Sequence, residues 1–213
     1  MPFDLAVIDL DNTLYAADNG VFARMDQRMT AFVSRQLGVG DKEANTLRIR
    51  YWREYGTTLR GLMLHHGMEA EPFLHDVHDI DVETILEPDT TLDAALHAMP
   101  GRKVIHTNGI REHAERVLAS LAIGHHFDAI YDIRFNNYTP KPCSDTLAML
   151  LAREQVTPDR ALVIDDMADN LAAARKLGTR TAWISQRQET SGEWHFQAAS
   201  VTDLAAQLTP LPT

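Results

Sequence analysis

The chain has 213 residues, 45% hydrophobic and 23% charged, with a formal net charge of −10. These values describe one globular core with room for a small accessory unit, and they exclude extended disorder. The acidic balance, with no Lys/Arg stripe to offset it, argues against nucleic-acid and anionic membrane-surface partners, but a small anionic substrate remains open because a metal or a local cation overrides the global sign.

In chain order, Phe3 to Asp9 is a short apolar run that ends in carboxylates, the pattern of a buried parallel strand with functional groups at its C-terminal tip. No basic region, apolar run and cleavage site open the sequence, and the single cysteine, Cys143, forms no internal disulfide. A cytoplasmic protein is the expectation. No stretch approaches the roughly 18 apolar residues of a membrane span.

Residues 16 to 85 read as a helical insert. Val21, Met25, Met29, Phe32, Val33 and Leu37 recur at helical spacing, Leu47, Tyr51, Trp52 and Tyr55 continue in a second helix, and Gly56, Gly61 and Gly67 punctuate the segment. From about residue 90 strand and helix alternate: helices are expected over 91–99, 111–121, 144–154 and 168–177, and strands over 103–107, 129–131, 161–165 and 179–184. Alternation of this kind predicts a doubly wound, Rossmann-like parallel sheet, an α/β core. Residues 209–213 read as a loose tail, and the sequence indicates no oligomeric state.

Four clusters at predicted strand ends carry the chemistry. Asp9-Leu10-Asp11-Asn12-Thr13 sets two carboxylates two residues apart, and close carboxylates need a cation or a shared proton, which splits their roles. Asp165-Asp166 ends a second strand, so two strand tips present four carboxylates, a set suited to a hard ion such as Mg2+. Thr107-Asn108-Gly109 offers a hydroxyl and backbone N–H groups to an anion, and Lys141 offers a point charge. Taken alone, the first cluster is also a common Asp/Asn turn, Thr-Asn-Gly a turn and a lone Lys a solvated surface group; Asp169 reads as a cap for the helix that follows it.

In this order and combination the motifs resemble the haloacid dehalogenase superfamily, specifically its phosphatases. The resemblance implies a catalytic core of residues 1–15 and 86–213 and a helical cap over the site at 16–85. It implies Asp9 as nucleophile, Asp11 as general acid and then base, and Thr107, Asn108 and Lys141 as phosphate-binding residues. Mg2+ would be held by the Asp9 carboxylate, the Asp11 backbone carbonyl and the Asp166 carboxylate. Asp165 would act through water, Thr13 would support the site, and Asn170 would orient the loop around Asp166. Dehalogenases of the superfamily lack a counterpart of Asp11.

Within the superfamily the wording is most similar to the pyrimidine 5′-nucleotidase group, which implies a small phosphorylated metabolite as substrate. A phosphosugar or general metabolite phosphatase is the alternative, a mutase more distant, and a non-catalytic binding module a reading from another class. Tyr51, Trp52, Arg53 and Tyr55 are candidates to grip a leaving group, or simply to pack.

Overall fold

Every strand that the hydrophobic runs predict is present in the computed structural model, which describes residues 3–186 and 193–208. They are β1 (Leu5–Ile8), β2 (Arg102–His106), β3 (Ala129–Tyr131), β4 (Ala161–Asp165) and β5 (Arg180–Ile184). A sixth, β6 (Phe196–Ala198), lies beyond the predicted runs. All pair in parallel, in the order β3-β2-β1-β4-β5-β6. That order places the topological switch point at β1, where a crevice opens beyond the strands' C-terminal ends.

Helices cover both faces because the strands are apolar on both sides. On one face Ala6, Ile8, Ile105, Leu162 and Ile164 meet α5 (Thr90–Ala98), α6 (Arg111–Ser120) and α9 (Val201–Leu208) through Leu92, Leu96, Val117 and Leu204. On the other, Leu5, Val7, Val104 and Val163 meet α7 (Ser144–Glu154) and α8 (Ala168–Lys176) through Leu147, Leu150 and Leu171. The helices lie within a residue of their expected bounds. Asp89 caps α5, its side chain accepting from the Thr91 and Leu92 N–H groups. Asp169 does not cap α8: the helix begins at Ala168, and the Met167 N–H is instead bonded to Asp165 Oδ1 at 2.8 Å.

The segment between β1 and α5 forms four helices, α1 (Val21–Leu37), α2 (Asp41–Tyr55), α3 (Thr58–His66) and α4 (Ala70–His78). They share a core of Phe32, Val33, Tyr51, Leu62, Phe73 and Val77, to which Ile110 and Ile133 of the sheet's loops are added. Gly56 and Gly67 end α2 and α3 in left-handed backbone, as their punctuating role predicts. Gly61 departs from that expectation: it lies inside α3, where a Cβ would collide with the Tyr51 ring. Close helix packing, not a turn, requires this glycine.

Polar contacts bind the same helices to the sheet's loops. Arg134 donates to both oxygens of Glu71 at 2.9 and 2.8 Å, and the Tyr138 hydroxyl donates to Glu71 at 2.7 Å. Arg116 of α6 forms a second fork on Glu83, in the 3-10 turn that follows α4. Among the described residues no helix is long and apolar enough to cross a membrane. Residues 209–213, the expected tail, lie outside the described residues.

Candidate active site

Strand register alone assembles the centre. Ile8 is paired with Ile105 on one side and Ile164 on the other, so the next residues, Asp9, His106 and Asp165, stand level across three adjacent strands. Lys141, on the loop before α7, reaches all three: its Nζ donates to Asp9 Oδ1 at 2.6 Å, to Asp165 Oδ2 at 2.9 Å and to the His106 carbonyl at 2.8 Å. The Thr13 hydroxyl donates to the other Asp9 oxygen, Oδ2, at 2.9 Å. Both Asp9 oxygens are therefore held in fixed directions.

Charge in this cluster does not balance. Asp9, Asp165 and Asp166 bring oxygens within 4.8 Å of one another and face the one ammonium of Lys141. Fully ionised, the group carries two surplus negative charges in a buried place. Burial accordingly pushes the Asp9 carboxyl well above its ordinary range; Lys141 opposes this, and Asp165 and Asp166 add to it. Burial and Asp165 push Asp166 up to about 7. For Lys141 burial works against the charged form, but Asp165 and Asp9 outweigh it and raise the pKa. An oxygen-only donor set with two surplus charges matches a hard divalent cation.

Each member of the cluster is oriented by a neighbour. The Asn108 side chain brackets the Lys141 backbone, accepting its N–H at 2.8 Å and donating to its carbonyl at 3.3 Å. Asn108, expected among the phosphate-binding residues, thus positions Lys141. The Asn170 amide donates to both oxygens of Asp165, at 2.8 and 3.0 Å, so it orients Asp165 and not Asp166. The loop at Asp166 is held by Trp183, whose indole N–H donates to the Asp166 carbonyl at 2.9 Å. Thr107 is buried and its Oγ1 accepts from the Gly109 N–H at 2.9 Å, which leaves its hydroxyl proton to donate elsewhere.

Asp11 belongs to a second network. Its Oδ1 accepts from His113 Nε2 at 2.8 Å and from the Tyr15 hydroxyl. Burial alone would raise its pKa; the positive charge and hydrogen bond of His113, with the Tyr15 bond, overcome that and hold it at about 2. The His113 ring packs 4.9 Å from that of His78, the last residue of α4. His78 gives its Nδ1 proton to the Leu74 carbonyl at 2.7 Å, and burial with His113 nearby lowers its pKa to about 4. Gly109 completes the crowding: an added Cβ would sit 3.3 Å from both His78 Nε2 and Thr107 Oγ1.

The sequence reading did not identify His113, Tyr15, His78 or Trp183. A signal existed for His113, the one polar residue on the stripe Ile110, Ala114, Val117, Leu118 of α6. Of the candidate grips, Tyr51 and Tyr55 are already bonded to His66 and His65 at 2.8 and 2.7 Å, whereas Trp52 is exposed. The end of α2 approaches the Lys141 loop, since a Cβ on Gly56 would lie 3.2 Å from the Lys141 carbonyl. A cavity of about 20 Å3 beside Asp9, Lys141 and Asn170 is water-sized.

A family described as haloacid dehalogenase-like hydrolase matches residues 3–178, and the chain belongs to that family. Its fold is similar to that of the HAD phosphatase from Thermococcus onnurineus, with a TM-score of 0.66 and 16% identity over 96% of this chain and 97% of that one. The L-2-haloacid dehalogenase from Xanthobacter autotrophicus is also similar, at a TM-score of 0.60 and 16% identity over the same shares. At such identities the likeness is one of fold. Among curated proteins, phosphate metabolism protein 8 of Saccharomyces cerevisiae is 30% identical over 133 residues, which is 57% of this chain and 41% of the yeast protein. The chain thus matches about two fifths of that relative's length.

Proposed function

We propose that the chain is a Mg2+-dependent phosphomonoester hydrolase acting through an aspartyl-phosphate on Asp9, with pyrimidine nucleoside 5′-monophosphates as substrates and the four-helix insert as a cap. The observation that carries this reading is the pair of networks around one motif. Asp9 is fixed by Lys141 and Thr13, while Asp11, two residues on, is held separately by His113 and Tyr15.

Asp9 attacks phosphorus, an O–P bond forms, and the bond to the leaving oxygen breaks. Lys141 and the Thr107 hydroxyl hold phosphoryl oxygens. Asp11 delivers a proton to the departing alkoxide, then takes one from the water that attacks the phosphoenzyme and frees phosphate. At about 2 the Asp11 carboxyl is ready as the base of the second step; for the first it needs a proton, and His113 Nε2 and the Tyr15 hydroxyl are the donors in contact with it. Asp9, Asp166 and the Asp11 carbonyl would hold Mg2+, which when bound neutralises phosphoryl charge. Asp165, engaged by Lys141, Asn170 and the Met167 N–H, would contribute through water.

The aspartate at position 11 favours phosphoryl chemistry over the dehalogenase reaction, and the yeast relative's name, a phosphate metabolism protein, points the same way. The opening Leu-Asp-Asn-Thr-Leu-Tyr and the insert after it support the nucleotidase reading. Phosphate release from a monophosphate panel, with Mg2+ and with EDTA, for the parent and Asp9→Asn, tests this. Release that needs Mg2+ and Asp9 and is fastest on UMP or CMP is the expected result. Faster release from sugar phosphates replaces the substrate, and equal release by Asp9→Asn overturns the mechanism.

A further inference from the structure

Two histidines and one aspartate converge at a second place in the fold. Asp93 lies in α5, and His125 and His126 lie in the single 3-10 turn of residues 124–126 that leads into β3. His126 Nε2 is 2.8 Å and His125 Nε2 is 3.1 Å from the same oxygen, Asp93 Oδ1. Their rings lie 4.0 Å apart, and the three donor atoms fall within 4.8 Å of one another. The turn precedes the N-terminal end of β3, whereas the catalytic groups follow C-terminal strand ends, so this place is separate from the active site.

An ordinary surface ion pair needs one imidazole, and an exposed pair of that kind contributes little. Here two imidazole nitrogens are aimed at one carboxylate oxygen, and His126 is anchored, its side chain only 9% exposed against 65% for His125. A tetrahedral ion with bonds of about 2.0–2.2 Å needs its ligand atoms roughly 3.3 Å apart; the two nitrogen-to-oxygen separations, 2.8 and 3.1 Å, lie within about half an ångström of that, and the two nitrogens are within 4.8 Å of each other. His97, four residues after Asp93 and so on the same face of α5, has its ring 6.4 Å from that of His126. It is placed to supply a fourth ligand.

We propose that Asp93, His125 and His126 form a zinc site, completed by His97 or water. Imidazole with one carboxylate selects Zn2+ over Mg2+, while the oxygen-only cluster at Asp9 has the opposite preference, so the two metals sort themselves between the sites. The ion ties α5 to the turn before β3, two segments 33 residues apart, and so clamps the β2–β3 edge of the sheet. Its role is structural, and it stands whether or not the chain hydrolyses phosphate esters.

Isothermal calorimetry with Zn2+ on the untagged full chain, in excess Mg2+, tests the site. One equivalent should bind at micromolar Kd or tighter and raise the unfolding temperature by about 3 °C or more. His125→Ala, at an exposed position that does not threaten folding, should weaken binding at least about tenfold, and His125→Ala/His126→Ala should abolish it. Asp166→Asn should leave this equivalent in place. No zinc uptake by the parent, uptake unchanged in the double variant, or uptake lost with Asp166→Asn overturns the proposal; in the last case the zinc sits at the carboxylate cluster.

Discussion

The sheet's C-terminal edge and the four-helix insert are held together by opposite means. At the edge, buried charge is stacked against buried charge: Lys141 bonds two carboxylates and a carbonyl, Thr13 and Asn170 fix the two carboxylates, and Asn108 fixes Lys141 itself. The insert is joined by apolar shape, with Phe32 and Phe73 edge to face at 5.2 Å and Tyr51 packed on Gly61. Chemistry dictates residue type at the edge, whereas in the insert packing sets the core and ion pairs such as Arg48–Asp26 and Arg35–Asp76 tie its helices at the surface.

The sharpest way to break that contrast is to remove charge at the edge in two ways. Asp9→Asn should lower phosphatase activity by about a thousandfold or more, yet leave the metal-free fold as stable or more so, because it removes one surplus negative charge. Lys141→Ala should lose activity to a similar degree and also lose about 3–5 kcal/mol of stability, since it strands buried carboxylates. Urea unfolding beside an activity assay separates the two. Equal stabilities would mean that the cluster is not electrostatically strained.

In the insert, Phe73→Ala should cost about 3–5 kcal/mol through the lost contacts and the cavity left between α1 and α4. Calorimetry should show that loss. If packing alone matters there, Phe73→Leu recovers most of it, whereas no conservative change at Lys141 restores the catalytic centre. Between the two regions lies His113. His113→Asn should lower kcat about 10- to 100-fold with KM little changed, because it frees Asp11 without touching Asp9. A change in KM alone would assign His113 to substrate binding instead.

This division also explains what the sequence made legible. Asp9, Asp11 and Asp165-Asp166 could be read because each follows an apolar run, and Lys141 because it stands in order with them before a helix, where the chemistry admits few substitutes. His113, Tyr15, His78 and Trp183 could not, because a contact such as His113 to Asp11 spans 102 residues and leaves no local pattern beyond one histidine on an apolar helix face. Asn170 is expected to orient the loop around Asp166, and the carboxylate it bonds is the adjacent Asp165, because neighbouring residues differ by direction and not by spacing. In the insert the helices were legible from periodicity, but Gly61 was read as a break when it is a contact. Whether the segment after Gln186 adds a strand is not legible in the sequence, and there β6 joins the sheet beside β5.

Two buried histidines give a smaller, pH-dependent effect that reaches both regions. Burial and His113 lower His78 to about 4, and burial and Lys141 lower His106 to about 3, while in the unfolded chain both titrate near 6.5. Between these values the unfolded state binds more protons, so stability is full above about pH 6.5 and falls as pH drops toward 4. The loss should be on the order of a few kcal/mol, read as a falling urea midpoint between pH 7 and pH 4.5. His106→Asn should flatten part of that slope, and a slope equal to the parent's would assign it to other groups.

The exposed latch should give the smallest effect. Its fork puts Glu71 under Arg134 and Tyr138, and the Arg134 hydrogen bond above all holds Glu71 at about 2. With an unfolded value of 4.5, its contribution is present above about pH 4.5 and is lost as pH falls toward 2. Because the Glu71 side chain is 41% exposed, solvent screens the pair, and Glu71→Gln should cost only about 0.2–1 kcal/mol at neutral pH. Hydrogen exchange is the sensitive readout: α4 amides should exchange faster in Glu71→Gln while β1 and β4 amides stay unchanged. Faster exchange in the strands as well would mean that the insert and the sheet unfold as one unit, and the contrast between the two regions would then be one of chemistry alone.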